Sequence, residues 1–361
     1  MKNNHNNFVC HLLTLALAIG LMLAFSTTVQ AENNFTITIP STLEVQKPGW
    51  NEISGGITAT GTLDAGNALV VTASSDNGFK FVNQSDNTQM ISYDFCASST
   101  DLTSLTSWSF EKLSSDATTK TVGINVEDYS SKPYGTYTEK VTFTAEIQTP
   151  VDLSKLTDER YVAQDGDVLT GTLPADCRLW VAVGATITLK GVSIDVANDW
   201  PGITPLTDVT IILEGDNTVT SIMDYKPGIR IDQGYTLTIR GEGSLTVTGG
   251  SQAAAIGMNR YNGCGNIVIE GGTITAKGGS NFPGIGGKSC GDITIGQNVT
   301  KVTVTAGDNS TSCIGIAKYD DSTTSCGKIT IGGTVYYDGS EFQNGGDAIL
   351  KAESFTYPPE K

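Results

Sequence analysis

Histidine is almost missing from this chain of 361 residues: there are 2, His5 and His11, both near the amino terminus. If that segment is removed on export, the mature protein has none. Ser-His nucleophilic catalysis, histidine general bases and histidine-ligated zinc are then excluded together. Positive charge is scarce too, with Lys+Arg 22 against Asp+Glu 38 and a net charge of -16. Such a chain repels phosphate backbones, so nucleic acid is not an expected partner. Long apolar runs are confined to Phe8 through Phe25, and no later stretch is apolar enough to span a bilayer.

That single run has the form of an export signal. Lys2 opens it, the apolar segment follows, and small residues lead to Val29-Gln30-Ala31, an A-x-A-like cleavage site. Residues 1–31 are therefore read as a signal peptide, and the mature protein as secreted or held at the cell surface. An uncleaved anchor is the alternative. Cys10 precedes the apolar run, so it is not placed as a lipoprotein cysteine. Six cysteines remain after it: Cys96, Cys177, Cys264, Cys290, Cys313 and Cys326. An even number in an exported chain admits disulfides.

What is present divides into two grammars. From residue 32 to 148, short runs such as "FTITIP", "ALVVTAS", "MISYDF" and "KVTFTAEI" alternate apolar and polar residues between Gly, Asn, Asp and Ser clusters. This pattern predicts an antiparallel β-sandwich, and the region resembles the Ig-like β-sandwich modules of bacterial surface proteins. The only hint of helix is near "STDLTSLTSW", and Trp50 and Trp108 are expected in the core. Residues 149–156, "TPVDLSKL", break the alternation as a linker or as the cap of the next unit, with "DLSKL" long enough for one helical turn.

From 157 to 340 the sequence repeats. Corner tripeptides end in Ile203, Ile229, Ile256, Ile285 and Ile314, which lie 26 to 29 residues apart by subtraction. Each is followed by two short strands, for example "YTLTIRG" then "SLTVTGG". Ile211, Ile239, Ile269, Ile295 and Ile331 fall at one position of the repeat; Val247, Ala276, Val304 and Tyr337 fall at another. A single unit cannot bury its apolar face, but stacked units share a core. Propeller blades need about 40 residues. The period thus predicts a right-handed parallel β-helix of roughly six turns, followed by a tail over 341–361. "FPGIGGKSCGDITI", Phe282 to Ile295, contains Gly-Lys-Ser but has Phe282 where a phosphate-binding loop needs glycine, so it is one coil of the repeat and not a nucleotide site.

The stretches "GIGGKSCGDITI", "CGNIVIEGGTITAKGG" and "CGKITIGGTVYYDG" resemble glycine-rich β-helix repeats of secreted proteins from gut and anaerobic bacteria. Some of these are grouped with a carbohydrate-binding β-helix family first described as a cellulose adhesin. "GDVLTGTL", "GATITLKGVSI" and "TIILEGDNTV" are similar to that family's opening coils. The resemblance implies a polysaccharide or other glycan as partner, and calcium in carboxylate corners. No calcium ligand is matched residue by residue.

Aromatic rings at the corners are the candidate glycan contacts, because flat rings pack on sugar faces and polar neighbours bind hydroxyls. Trp200 and Phe282 directly precede Pro-Gly-Ile corners, Tyr261 and Tyr319 each follow a corner isoleucine by five residues, and Tyr225 joins them. Thr210, Thr238, Thr294 and Thr330 form an outward column interrupted by Val268, and Thr246, Thr275 and Thr303 form a second; Thr is also simply a good strand residue. Cys264, Cys290 and Cys326 share one position in three coils; at the spacing of stacked strands one disulfide is feasible, but buried thiols filling a stack are the expected reading. Polysaccharide lyases and hydrolases also use β-helices, and Asp320-Asp321 and Arg230-Asp232 are the pairs such chemistry would draw on. The expected function is non-catalytic glycan binding. The alternatives are a structural spacer whose sandwich binds a partner, and a lyase or hydrolase.

Overall fold

A computed structural model describes residues 8–10, 33–64, 66–317 and 325–359. Most of the expected signal segment, including its cleavage site, and Tyr319, Asp320 and Asp321 lie outside the described residues. No helix among them is long and apolar enough to cross a membrane. The chain divides at Thr149/Pro150 into two compact units.

The amino-terminal unit is built from antiparallel pairs. Its sheets are small: Met90–Cys96 lies at the centre of five strands, while Ile57–Thr62 and Ala68–Ser75 each centre a sheet of three. Alternate residues of these strands enter one core containing Leu69, Val71, Phe81, Phe95, Trp108, Ile124 and Phe143. Trp108 is buried as expected, whereas Trp50 is half-buried and lies against Gly123, where a Cβ would meet its ring at 2.5 Å. The hint of helix before Trp108 gives no helix; the segment leads irregularly into the strand Ser107–Phe110.

Glu139 is the buried charge of this unit, 4% exposed, and accepts a short hydrogen bond from the Ser75 hydroxyl. Burial pushes its carboxyl above the ordinary glutamate range, with the Ser75 bond opposing that shift. The folded state therefore holds this proton to higher pH than the unfolded chain does. Its contribution is fullest below the unfolded pKa and declines as pH rises through the folded value. Glu139→Gln is accordingly expected to raise the thermal midpoint at pH 7 and to lose that advantage as pH falls below the glutamate range. Melting curves of both proteins from pH 3 to 8 test this.

The second unit is a parallel β-solenoid of about five turns. Thr186–Val196 is long enough to serve two faces. Its first half pairs with Val209–Glu214, and that face continues through Thr236–Gly241, Asn266–Ile269, Ile293–Ile295 and Lys328–Ile331. Its second half pairs with Asp216–Ser221, and the next face continues through Ser244–Thr248, Thr273–Lys277 and Lys301–Thr305. The third face is a separate sheet of seven short strands running from Arg160–Ala163 to Ile314–Ile316.

The register aligns the repeats as their period requires. Ile211, Ile239, Ile269, Ile295 and Ile331 are consecutive ladder partners, as are Val247, Ala276 and Val304, and all are fully or almost fully buried. The corner isoleucines from Ile203 to Ile314 form the third internal column.

Both ends of the solenoid are closed. Val151–Asp152 pairs parallel with Val168–Thr172, and a 3-10 turn over Leu153–Lys155 buries Leu153, so the segment after residue 149 is the first cap. At the other end the last unit departs from the repeat. Thr334–Asp338 turns back antiparallel on Lys328–Ile331, so Tyr337 faces Ile329 and leaves the column expected to hold it with Val304. Ser354–Tyr357 fills the vacated rung, antiparallel to Lys301–Thr305, with Phe355 opposite Val304. The expected tail is thus a cap, and this reversal is why there are fewer full turns than repeat counting suggests. An antiparallel strand ends the parallel ladder without a further coil.

On the third face, Gly257, Gly286 and Gly315 are stacked, with φ values of 136°, 131° and 104°. A Cβ on Gly286 would lie 1.8 Å from the Gly315 carbonyl oxygen. Neither that conformation nor that contact accepts a side chain. Gly286→Ala is expected to cost more than ~3 kcal/mol and to lower the solenoid's melting midpoint by roughly 10 °C. Gly184→Ala, with nothing within 4 Å and φ 68°, should cost only about 1 kcal/mol. Calorimetry of the two variants checks the contrast.

Candidate binding corner

The corner that precedes the third face carries the surface aromatics. Tyr225, Gln252, Asn281 and Asn309 occupy its left-handed position in successive coils, at φ 64°, 58°, 68° and 62°. The backbone N–H of Tyr225 donates to Ser251 O, that of Gln252 to Ser280 O, and that of Asn281 to Asp308 O. One corner shape is therefore repeated, and it needs a conformation that Asn tolerates and a bulky aromatic resists. Tyr225 departs from what the backbone prefers.

Its surroundings hold the ring in place. The Tyr225 and Tyr261 rings meet at 5.1 Å between centroids with an interplanar angle of 50°. Gln252 Nε2 lies 3.3 Å from the Tyr225 hydroxyl, and Arg260 Nη1 donates to Gln252 Oε1. The Arg260 guanidinium in turn lies over the Tyr261 ring at 5.3 Å. Asn259 Nδ2 donates to the Tyr225 carbonyl, and Asn259 Oδ1 accepts from the Tyr261 N–H, so one amide fixes both tyrosine backbones. Tyr261 is 61% exposed.

Trp200 completes the line one coil earlier. It is half-buried, and the Arg178 guanidinium covers its ring at 4.0 Å. Trp200 and Tyr225 share a small cleft that Pro201, Pro227, Met258 and Arg230 also line. The structure thus brings together three of the five sequence candidates, Trp200, Tyr225 and Tyr261. Tyr319 falls outside the described residues.

Phe282 is corrected. It is fully buried, and a ring with no exposed face cannot receive a sugar. Its place in the repeat matches Trp200, but corner loops stack on both sides of it. The Gly279 N–H donates to Ala253 O in the coil before, and the Gly307 N–H in the coil after donates to Phe282 O. The ring is closed in as part of the corner. Sequence reasoning also missed Trp180 and the arginines. Arg160 stacks on Trp180 at 4.8 Å as Arg178 stacks on Trp200, and the signal was an Arg and a Trp at neighbouring outward positions of one face.

The corner carboxylates do a different job from the one the resemblance implies. Asp165 accepts the Thr186 N–H (2.8 Å), Asp208 accepts the Thr236 N–H (2.7 Å), and Asp292 accepts the Lys328 N–H (2.7 Å). Asn266 does the same for the Asp292 N–H at 2.9 Å. Each side chain caps a backbone donor in the next coil. Among the described residues no three His, Cys, Asp or Glu side chains gather to hold a metal ion.

The remaining candidates are accounted for locally. Arg230 gives both Nε and Nη2 to one oxygen of Asp232, each at 2.9 Å. Cys290 and Cys326 form a disulfide with Cα atoms 4.6 Å apart. Cys264, one coil earlier, stays a buried thiol, and burial pushes its pKa well above the ordinary thiol range, so it resists deprotonation. The threonine columns hold their ladder register, with Thr218, Thr246 and Thr275 exposed on consecutive rungs.

The strained tyrosine offers a direct test. Replacing it by Asn relieves about 1 kcal/mol of backbone strain and removes a ring pair of comparable worth. Tyr225→Asn should therefore leave the melting midpoint within a few degrees of the parent. A large loss of stability would mean that the ring is needed for folding.

No family model matches the chain, and neither the curated proteins nor the solved structures contain a significant match to it.

Proposed function

We propose that the protein is an exported, non-catalytic glycan-binding protein, and that Trp200, Tyr225 and Tyr261 form its contact line. The supporting observation is Tyr225. An aromatic ring stands at a left-handed corner where the following coils place Gln252, Asn281 and Asn309. Strain of this kind persists where the surrounding structure enforces it, and such positions cluster at ligand-binding sites. The ring is held beside Tyr261 and shares a cleft with Trp200, so three rings from three coils face one strip of surface.

Consecutive coils are about 4.8 Å apart, so the strip runs along the solenoid axis and suits an extended polymer. Each ring contributes weakly, and affinity comes from summing contacts along the chain. Arg230, Asp232, Lys226 and Asn259 supply hydrogen-bonding groups for hydroxyls beside the rings. We further read the solenoid as right-handed and the amino-terminal sheets as a sandwich. The latter is supported by fully buried Tyr137, whose hydroxyl donates to Pro133 O at 3.0 Å in the manner of a tyrosine corner.

The test incubates the purified protein with soluble and insoluble polysaccharides, with and without chelator, and follows protein depletion and sugar release together. The reading expects depletion, no release, and no effect of chelator. Trp200→Ala should weaken binding roughly 3- to 10-fold, the worth of one stacked ring. Release of sugar would move the protein to the lyase or hydrolase class. Absence of binding to every polymer would overturn the reading.

A further inference from the structure

The cleft between Trp200 and Tyr225 is small. Its volume is about 70 Å³. Counting roughly 10–15 Å³ for each water-sized position, it admits about five non-hydrogen atoms. That is a substituent of a sugar and not a sugar ring. The ring itself must lie outside, against the exposed Tyr261 and the Tyr225 edge.

The walls indicate which substituent. Pro201, Pro227 and Met258 form an apolar lining, and Met258 is 2% exposed, so it is fixed in the solenoid core. Against these three side chains a hydroxyl or hydroxymethyl would lose water without gaining a hydrogen bond from them. A methyl group would gain from the same walls. The rim is polar. Asn262 is exposed, lines the cleft, and its side-chain amide has no hydrogen-bond partner among the described residues. An amide offers one acceptor and a pair of donors, the complement of another amide. Arg230 and Lys226 add positive donors, the first oriented by Asp232 and the second by Asp199 at 3.1 Å.

Apolar walls with an amide and cationic donors at the mouth match an acetamido group: its methyl inward, its carbonyl toward Arg230 or Lys226, and its N–H toward Asn262. We propose that this cleft selects N-acetylated amino sugars, so that the polymer held along the corner line is an N-acetylhexosamine glycan. This rests on the glycan-binding reading and narrows it.

The experiment compares β-1,4-linked oligomers of one length that differ only at carbon 2: N-acetylglucosamine, glucose and de-N-acetylated glucosamine. Affinities are measured by titration calorimetry on the full protein. The N-acetylated oligomer is expected to bind about tenfold more tightly than the glucose oligomer. Asn262→Ala should reduce that preference several-fold. Equal affinity for the N-acetylated and glucose oligomers would overturn the acetamido assignment while glycan binding stood. Tightest binding of the amine form would also overturn it, since a chain of net charge -16 attracts cations without a cleft. Failure of all three to bind, together with failure of the wider polysaccharide panel, would remove both readings.

Discussion

Everything in the second unit depends on the parallel hydrogen-bond ladder between coils. Each strand gives its backbone groups to the strand one turn away, so residues a repeat apart become neighbours in space. Columns follow from this: isoleucine inside, threonine outside, glycine where two backbones meet. The columns in turn set the corners. Because the corner repeats, a residue that breaks its pattern stands out against three copies of the same backbone. Tyr225 is such a residue.

The ladder also creates an obligation at each end. A parallel sheet cannot stop without exposing a row of donors and acceptors. The chain meets this with Leu153 and its short turn at the start, and with two antiparallel strands at the finish. Between the ends, a side chain from one coil repeatedly caps a backbone N–H of the next, as Asp165, Asp208 and Asp292 do. These carboxylates are spent on the ladder.

How much of this was legible in the sequence varies with the kind of residue. The interior columns were readable up to the last coil, because burial on one side and a strict register leave periodicity as a direct image of packing; Ile211 through Ile331 fell as the repeat placed them. The corners were only half readable. Trp200 and Phe282 share one sequence context, yet one ring is half-exposed and the other sealed, because the difference lies in the loops stacked on either side. Tyr337 was misplaced for a similar reason: a strand that reverses has the same composition as one that continues. The strain at Tyr225 left no mark in the sequence at all, since φ is a property of the backbone and only comparison of stacked corners reveals it.

The most direct measurement is hydrogen–deuterium exchange of the intact protein with and without bound glycan. Protection should appear in peptides covering 198–202, 223–233 and 257–263, which are far apart in sequence and adjacent only across the coils, and the peptides of the threonine faces should be unchanged. Protection confined to the amino-terminal unit, or spread over the threonine columns with the corner peptides unaffected, would contradict the account.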